Sequence, residues 1–246
     1  MTISYNWLCE YLPEQIEQEK LSKILTSIGL EVESLEKFES IKGSLEGLVV
    51  GEVVTCEKHP NADKLKLTKV NIGAAEQLQI VCGANNVAAG QKVVVAAVGT
   101  TIYPVSAEPL TMKAAKIRGI ESQGMICAED EIGMGENHEG IIVLPADLKP
   151  DSAVSDYYKP YQDWVFEIGL TPNRMDAMSH LGVAKDVCAY LAHHQNKTAK
   201  PKLPYPASFK IAQNNTGTKV TIENTEACKR YSGVNISNVK ITASPE

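Results

Sequence analysis

Aromatic residues are scarce in this sequence: two tryptophans, three phenylalanines and nine tyrosines make up 6% of 246 residues. Between Ser40 and Pro150 the only one is Tyr103. That stretch therefore has no set of rings on which to stack single-stranded bases, and any nucleic acid held there is held by shape and backbone. Positive charge is short as well. A formal net charge of −6 excludes a protein that coats nucleic acid with a uniformly basic surface, so RNA binding has to come from a local patch. Long apolar runs are absent: none approaches the roughly 20 residues that cross a bilayer. The opening Met1-Thr2-Ile3-Ser4-Tyr5-Asn6-Trp7 lacks the basic leader and apolar stretch of a signal peptide. No membrane partner and a cytoplasmic location are expected.

Closely spaced cysteines are missing too. Cys9, Cys56, Cys82, Cys127, Cys188 and Cys228 are scattered, with no pair at the spacing of a zinc knuckle or a redox motif, and buried free thiols are the favoured reading. A zinc site drawn from Cys82, Cys127, His59 and His138 requires the fold to gather four distant residues. Pairing Cys82 with His59 as nucleophile and base leaves the pair without an orienting carboxylate. Gly133, Gly135 and Gly140 suggest a phosphate loop, but Glu129, Asp130, Glu131, Glu136 and Glu139 surround them and repel phosphate, so a solvated acidic loop is expected. No metal ligand and no catalytic residue is assigned.

What is present has the makings of a large core: 43% hydrophobic and 22% charged residues, over a length that suits two domains and a fragment of a third. Leu21, Ile24, Leu25 and Ile28 predict an amphipathic helix closed by Gly29 in a left-handed turn, followed by a strand over 30–38. With Ser4-Tyr5-Asn6-Trp7-Leu8 these elements offer one apolar face and too few residues to close a core. The sequence from Asp163 to Leu170 reads as a strand. Thr171-Pro172-Asn173 then turns into a helix carrying Met178, Leu181, Ala184, Cys188 and Leu191 on one face. The expected class is α+β, with residues 1–39 and 151–192 as a split domain. Residues 193–206, with three prolines, read as a linker. Residues 207–246 read as the truncated start of a following domain, with short strands at 219–222, 233–236 and 239–241, so the chain reads as the front of a longer polypeptide.

The split encloses a different pattern. Runs over 48–56, 64–72, 78–82, 92–98, 112–117 and 124–127, punctuated by Gly, Asn and Pro, predict short strands. Residues 40–150 have the size of an oligonucleotide-binding β-barrel inserted into the α+β domain. Lys64, Lys66 and Thr68 alternate with Leu65 and Leu67, which predicts two lysines and a hydroxyl facing water. Val70 and Ile72 then fall on the lysine side, so the period slips and a bulge or sharp bend is expected near Thr68 and Lys69.

Charge in this module is uneven. Ten positive residues stand against thirteen acids over 40–150, but nine against seven before Glu129. Lys58, Lys64, Lys66 and Lys69 lie in one strand region, and Lys113, Lys116 and Arg118 in another. If the two regions adjoin, they make a basic strip. Lys64, Lys66, Asn85, Lys113, Lys116 and Arg118 are the candidate RNA contacts. Plainer roles exist for the same residues: strand-face lysines keep sheets soluble, Asn85 and Asn86 suit the turn after Gly83, and Glu121-Ser122-Gln123-Gly124 suits the bracing of a tight turn.

His59-Pro60-Asn61-Ala62-Asp63-Lys64-Leu65 with Val81-Cys82-Gly83-Ala84-Asn85-Asn86, and Lys116-Ile117-Arg118-Gly119-Ile120-Glu121-Ser122-Gln123-Gly124-Met125, resemble the tRNA-binding module of aminoacyl-tRNA synthetases and their accessory proteins. Ser4-Tyr5-Asn6-Trp7-Leu8 with Ile28-Gly29-Leu30-Glu31-Val32-Glu33 stands before them, and Thr171-Pro172-Asn173-Arg174 with Leu181-Gly182 after. Arg230-Tyr231-Ser232-Gly233 to Ser244-Pro245 resembles the opening of the domain that follows. Together these blocks cover essentially the whole chain and resemble the β-subunit family of bacterial phenylalanyl-tRNA synthetases. Met175 departs from the family pattern, where a smaller residue or proline is usual.

The resemblance implies an ATP- and magnesium-dependent ligase that joins phenylalanine to tRNA(Phe), working as an α2β2 tetramer with the activating site on the α-subunit. It implies that the proofreading pocket lies mostly beyond residue 246, and that this part binds no cofactor and no DNA and is catalytically inactive. Neither class of synthetase active-site motif is present in the sequence. The alternative reading is a structural scaffold that holds subunits together without touching tRNA.

Overall fold

In the computed structural model, the described residues are 1–195, 198–203, 219–236 and 238–244. Strand β1 (Thr2–Ser4) runs straight into helix α1 (Tyr5–Tyr11). Ser4 makes the turn by capping that helix, its Oγ accepting the N–H of Trp7 at 3.0 Å. Helix α2 (Gln18–Ser27) is capped by Glu17, whose carboxylate accepts the N–H groups of Glu19 and Lys20, and it buries Leu21, Ile24 and Leu25. Gly29 follows at φ 81°, a left-handed conformation that costs a glycine little. The chain then enters β2 (Glu31–Glu39).

The barrel region begins with β3 (Leu48–Lys58), β4 (Lys66–Asn71), β5 (Leu78–Cys82) and β6 (Lys92–Ala97). Short pieces follow: β7 (Thr101–Ile102), β8 (Leu110–Thr111), β9 (Ala115–Ile117), β10 (Ile120–Ser122), β11 (Gly124–Ile126) and β12 (Val143–Leu144). The antiparallel order is β11-β6-β3-β4-β5, with β12 also on β6. The sheet comes close to closing where the residues after β10 bond to β5: the N–H of Gln123 donates to the Gln79 carbonyl at 2.8 Å. Strand β6 is buried on both faces. Val93 and Val95 join one core cluster with Val53, Val70 and Ile80, while Val94 and Ala96 join another with Leu48, Val50 and Cys127. This is why β6 reads as an unbroken apolar run.

Helix α3 (Val154–Tyr158) leads into β13 (Gln162–Gly169), and helix α4 (His180–Gln195) follows. β13 is the middle strand of a three-stranded sheet, β1-β13-β2. Leu21, Ile24 and Leu25 of α2 share a core cluster with Phe166, Ile168, Val183, Val187 and Leu191. Residues 151–158 pack elsewhere: Val154 belongs to a barrel core cluster, and Val49 bridges to Ala153. Residues 1–202 form one compact unit and 203–246 a second.

Several expectations are corrected. Thr68 is fully buried, and its hydroxyl donates to the Ile80 carbonyl at 2.8 Å. In β4 the inward series is therefore Lys66, Thr68 and Val70, with no slip of period. The register shift lies on the partner strand instead, between Val53 and Thr55 of β3, so Val54 absorbs the extra residue and β4 stays regular. Met178 is 51% exposed because it lies ahead of α4, which starts at His180; Val183 and Val187 complete the buried face. No strand is found among the described residues of 219–244. Ile236 and Ile241 there are 80% and 94% exposed. A strand needs a neighbour for its backbone groups, and apolar alternation alone does not supply one. Residues 193–195 of the expected linker are helical; its residues 196–197 and 204–206, and residues 207–218 of the following segment, lie outside the described residues.

Candidate nucleic-acid interface

The turn between β3 and β4 is built around His59, a buried residue whose N–H donates to the Leu65 carbonyl at 3.0 Å. The ring uses both nitrogens. Nδ1 accepts the N–H of Asn61 at 3.1 Å, so Nε2 carries the proton and donates to the Ile117 carbonyl at 3.3 Å. Two residues after His59, Asn61 Nδ2 donates to the Arg118 carbonyl at 3.3 Å. These two long-range bonds bolt the 59–65 turn onto the β9–β10 hairpin.

That hairpin has a two-residue loop, since Ile117 pairs with Ile120. Arg118 lies at φ 49° and Gly119 at φ 90°, the doubly positive geometry that suits the twist of a tight hairpin. Glycine adopts it freely, whereas a left-handed conformation costs Arg118 about 1–2 kcal/mol. The base of the hairpin is fixed to β5. Ser122 Oγ accepts the N–H of Val81 at 3.1 Å and donates to the Gly124 carbonyl at 3.0 Å. Gln123 Oε1 accepts the N–H of Gln79 at 3.0 Å. Ser122 and Gln123 thus brace the turn.

The two basic regions are brought together by this arrangement. Lys58 stands just before the 59–65 turn and Lys64 within it, Lys116 and Arg118 occupy the hairpin bolted to it, and all four are exposed. Lys113, also exposed, follows the buried Met112 two residues before β9. Glu121 stands directly opposite Lys116 in the ladder and offsets part of its field.

Lys66 is different. Its Nζ donates to the carbonyls of Asn85 at 2.9 Å and Val87 at 2.7 Å, so its charge pins the loop after β5. Lys58 pairs directly with Lys66 across β3–β4, a like-charge juxtaposition that an anion would relieve. The Asn85 side chain is exposed and borders a cleft of about 450 Å³ shared with Cys82, Glu131 and Glu139. Asn86 is structural: its amide donates to the Ile141 carbonyl at 2.9 Å and accepts the Ile141 N–H at 3.0 Å. In the acidic loop, Asp130 pairs with His138 at 3.0 Å and raises its pKa. In the sequence His59 and Asn61 stand out only as members of the block that resembles the tRNA-binding module; their role as bolts depends on partners 58 and 57 positions away, which local sequence does not specify.

Residues 48–153 match the family model described as "Putative tRNA binding domain". The chain is 52% identical over 246 residues to the phenylalanine–tRNA ligase beta subunit of Bacteroides fragilis. It is 47% identical over 253 residues to that of Porphyromonas gingivalis and 43% over 255 to that of Salinibacter ruber. Each match covers 100% of this chain and 30% of the relative. The chain is a homologue of phenylalanine–tRNA ligase β subunits. It spans about 30% of the length of the curated relatives it matches. In this β-subunit homologue the matched domain starts with β3 and ends just before α3, so it takes in the whole barrel-like sheet together with the 59–65 turn and the hairpin. Among the described residues no group of three or more His, Cys, Asp or Glu is placed to hold a metal ion, and no helix is long and apolar enough to cross a membrane.

Proposed function

We propose that this β-subunit homologue is the non-catalytic, tRNA-contacting part of a cytoplasmic phenylalanine–tRNA ligase, and that it grips tRNA(Phe) through phosphate and sugar. Lys64, Lys113, Lys116 and Arg118 are the contacts, with Asn85 at the margin of the same surface and Lys66 holding the loop that presents Asn85. The observation that carries this reading is the bolting of the 59–65 turn onto the hairpin by His59 and Asn61, which merges two lysine-bearing segments into one basic strip. Recognition is by shape and backbone, because Tyr103, the only phenylalanine, tyrosine or tryptophan ring in the module, is packed against Gly43 beneath the Lys42 ammonium. In this reading the whole enzyme is an α2β2 tetramer using ATP and magnesium, with amino-acid activation on the α-subunit.

We also infer that residues 1–39 and 151–192 form one domain interrupted by the barrel. The shared core of α2, β13 and α4 supports this. Residues 151–158 serve as the connection from the barrel.

The experiment is a titration of tRNA(Phe) with the chain over a series of salt concentrations. Binding should weaken with a log–log slope of roughly −0.7 to −0.9 for each neutralised phosphate. Absence of binding at low salt would sink the RNA reading in favour of a scaffold. Pyrophosphate exchange by the chain free of any α-subunit would refute the non-catalytic assignment.

A further inference from the structure

On the outer face of the three-stranded sheet lies a groove of about 640 Å³, lined by Ser4, Trp7, Glu10, Phe38, Tyr161, Asp163 and Val165. Three of these are aromatic in a chain that has few rings, and all three face solvent: Trp7 is 52% exposed, Phe38 48% and Tyr161 50%. They are also held in place. The Trp7 ring stacks on His180 with centroids 4.1 Å apart, and the Phe38 and Tyr161 rings lie 6.2 Å apart at 56°. Exposed rings already fixed in position lose little conformational freedom when a ligand covers them.

Beneath them is an unusual charge. Asp163 is 6% exposed and accepts four hydrogen bonds: from Ser4 Oγ at 2.5 Å, Tyr161 OH at 2.9 Å, and the N–H groups of Asn6 at 2.9 Å and Trp164 at 2.7 Å. Burial works to raise its pKa, but these bonds outweigh it and hold the carboxyl below its usual range, so it is ionised at neutral pH. None of the ion pairs among the described residues reaches it. Glu10 adds a second acid to the groove, and residues 1–39 as a whole carry eight glutamates and three lysines.

We infer that this groove docks an arginine or lysine side chain of a partner polypeptide, the cation resting against Trp7, Phe38 and Tyr161 near the Asp163 carboxylate. Ring faces attract a cation electrostatically, arginine most often, and the carboxylate, which has no ion-pair partner among the described residues, supplies the opposite charge. RNA does not fit, because Asp163 and Glu10 repel phosphate. A purely apolar segment would bring no positive charge to offset Asp163 and the exposed Glu10.

The test is fluorescence anisotropy with the 246-residue chain and two fluorescein-labelled peptides, a Gly-Arg repeat and its Gly-Gln counterpart, at about 150 mM salt, where exposed charges are largely screened. The arginine peptide should bind and the glutamine peptide should not. Phe38→Ser and Trp7→Ala should each weaken binding at least tenfold. Trp7→Phe, which keeps a ring, should retain most of it and guards against loss of fold in the alanine variant. Glu19→Gln and Glu31→Gln, outside the groove, should change nothing. No binding to either peptide, equal binding to both, or binding that survives Trp7→Ala and Phe38→Ser overturns the inference. So does binding of an oligouridylate that is sensitive to Trp7→Ala.

Discussion

Asn61 and Arg118 stand 57 positions apart in sequence and are joined by one hydrogen bond, from Asn61 Nδ2 to the Arg118 carbonyl at 3.3 Å. That bond is exposed, whereas the neighbouring one from His59 to Ile117 has a buried donor. His59→Ala deprives two main-chain groups, the Asn61 N–H and the Ile117 carbonyl, of their partner and empties a buried site, whereas Asn61→Ala frees only the Arg118 carbonyl. His59→Ala should therefore destabilise the protein by about 1–3 kcal/mol and Asn61→Ala by about 1 kcal/mol or less. Hydrogen exchange at the amides of Ile117 and Ile120 checks the mechanism: it should accelerate more in the histidine variant than in the asparagine variant.

The lysines of the strip should separate into two kinds. Lys66→Met strips two carbonyls of their donor and should cost about 1 kcal/mol by denaturant unfolding. Lys116→Ala and Arg118→Ala should leave stability within a few tenths of a kcal/mol and flatten the salt dependence of tRNA(Phe) binding by about one unit each. Arg118→Gly should flatten that slope equally while leaving stability unchanged or raised by up to about 1 kcal/mol, because it relieves the left-handed conformation at φ 49°. A loss of stability in that variant would show that the arginine side chain holds the hairpin together.

Stability should depend on His180 at mildly acidic pH. The main-chain N–H of Ser4 donates to His180 Nε2 at 3.0 Å, and a protonated Nε2 cannot accept it. Burial lowers the His180 pKa in the folded protein, with Asp163 opposing the shift. Below the unfolded value of about 6.5 the unfolded chain then binds the extra proton. The contribution is fully present above about pH 6.5 and is lost as pH falls through the folded pKa. In His180→Phe the dependence of unfolding free energy on pH between about 5 and 7 should be shallower than in the parent chain. Identical slopes would exclude His180 as the titrating group.

Closure of the barrel should be sensitive to Gly124, at the start of β11. Its φ is 144°, and a Cβ there would lie 2.6 Å from the Ala96 carbonyl oxygen. The contact is with backbone, which cannot swing aside. Gly124→Ala should cost about 1–3 kcal/mol, on the scale of a residue forced into a sparsely populated conformation, read as a shift in the urea midpoint. Gly90→Ala, at a site with nothing within 4 Å of a Cβ, is the comparison that isolates strain of the left-handed backbone from crowding.

Several elements were determined by the sequence alone, because each answers to a period that a few neighbouring residues set. The apolar positions Leu21, Ile24 and Leu25 specify α2 and Gly29 its end, and the run from Leu78 to Cys82 coincides with β5. The blocks around His59 and Lys116 were enough to point to a tRNA-binding module, which the match over 48–153 agrees with. Only the tertiary structure decided which way β4 faces. Its alternation is ambiguous, and a register shift on β3 together with a carbonyl waiting at Ile80 turns Thr68 inward. The same holds for Lys66, whose partners Asn85 and Val87 lie 19 and 21 residues away, and for the union of the two basic regions through His59 and Asn61. Apolar alternation at 233–236 and 239–241 did not suffice to make strands among the described residues, since pairing depends on a neighbour that local sequence does not specify. Periodicity reports which face of one segment is buried; which segments meet across that face is set by topology, and the strip exists only where they meet.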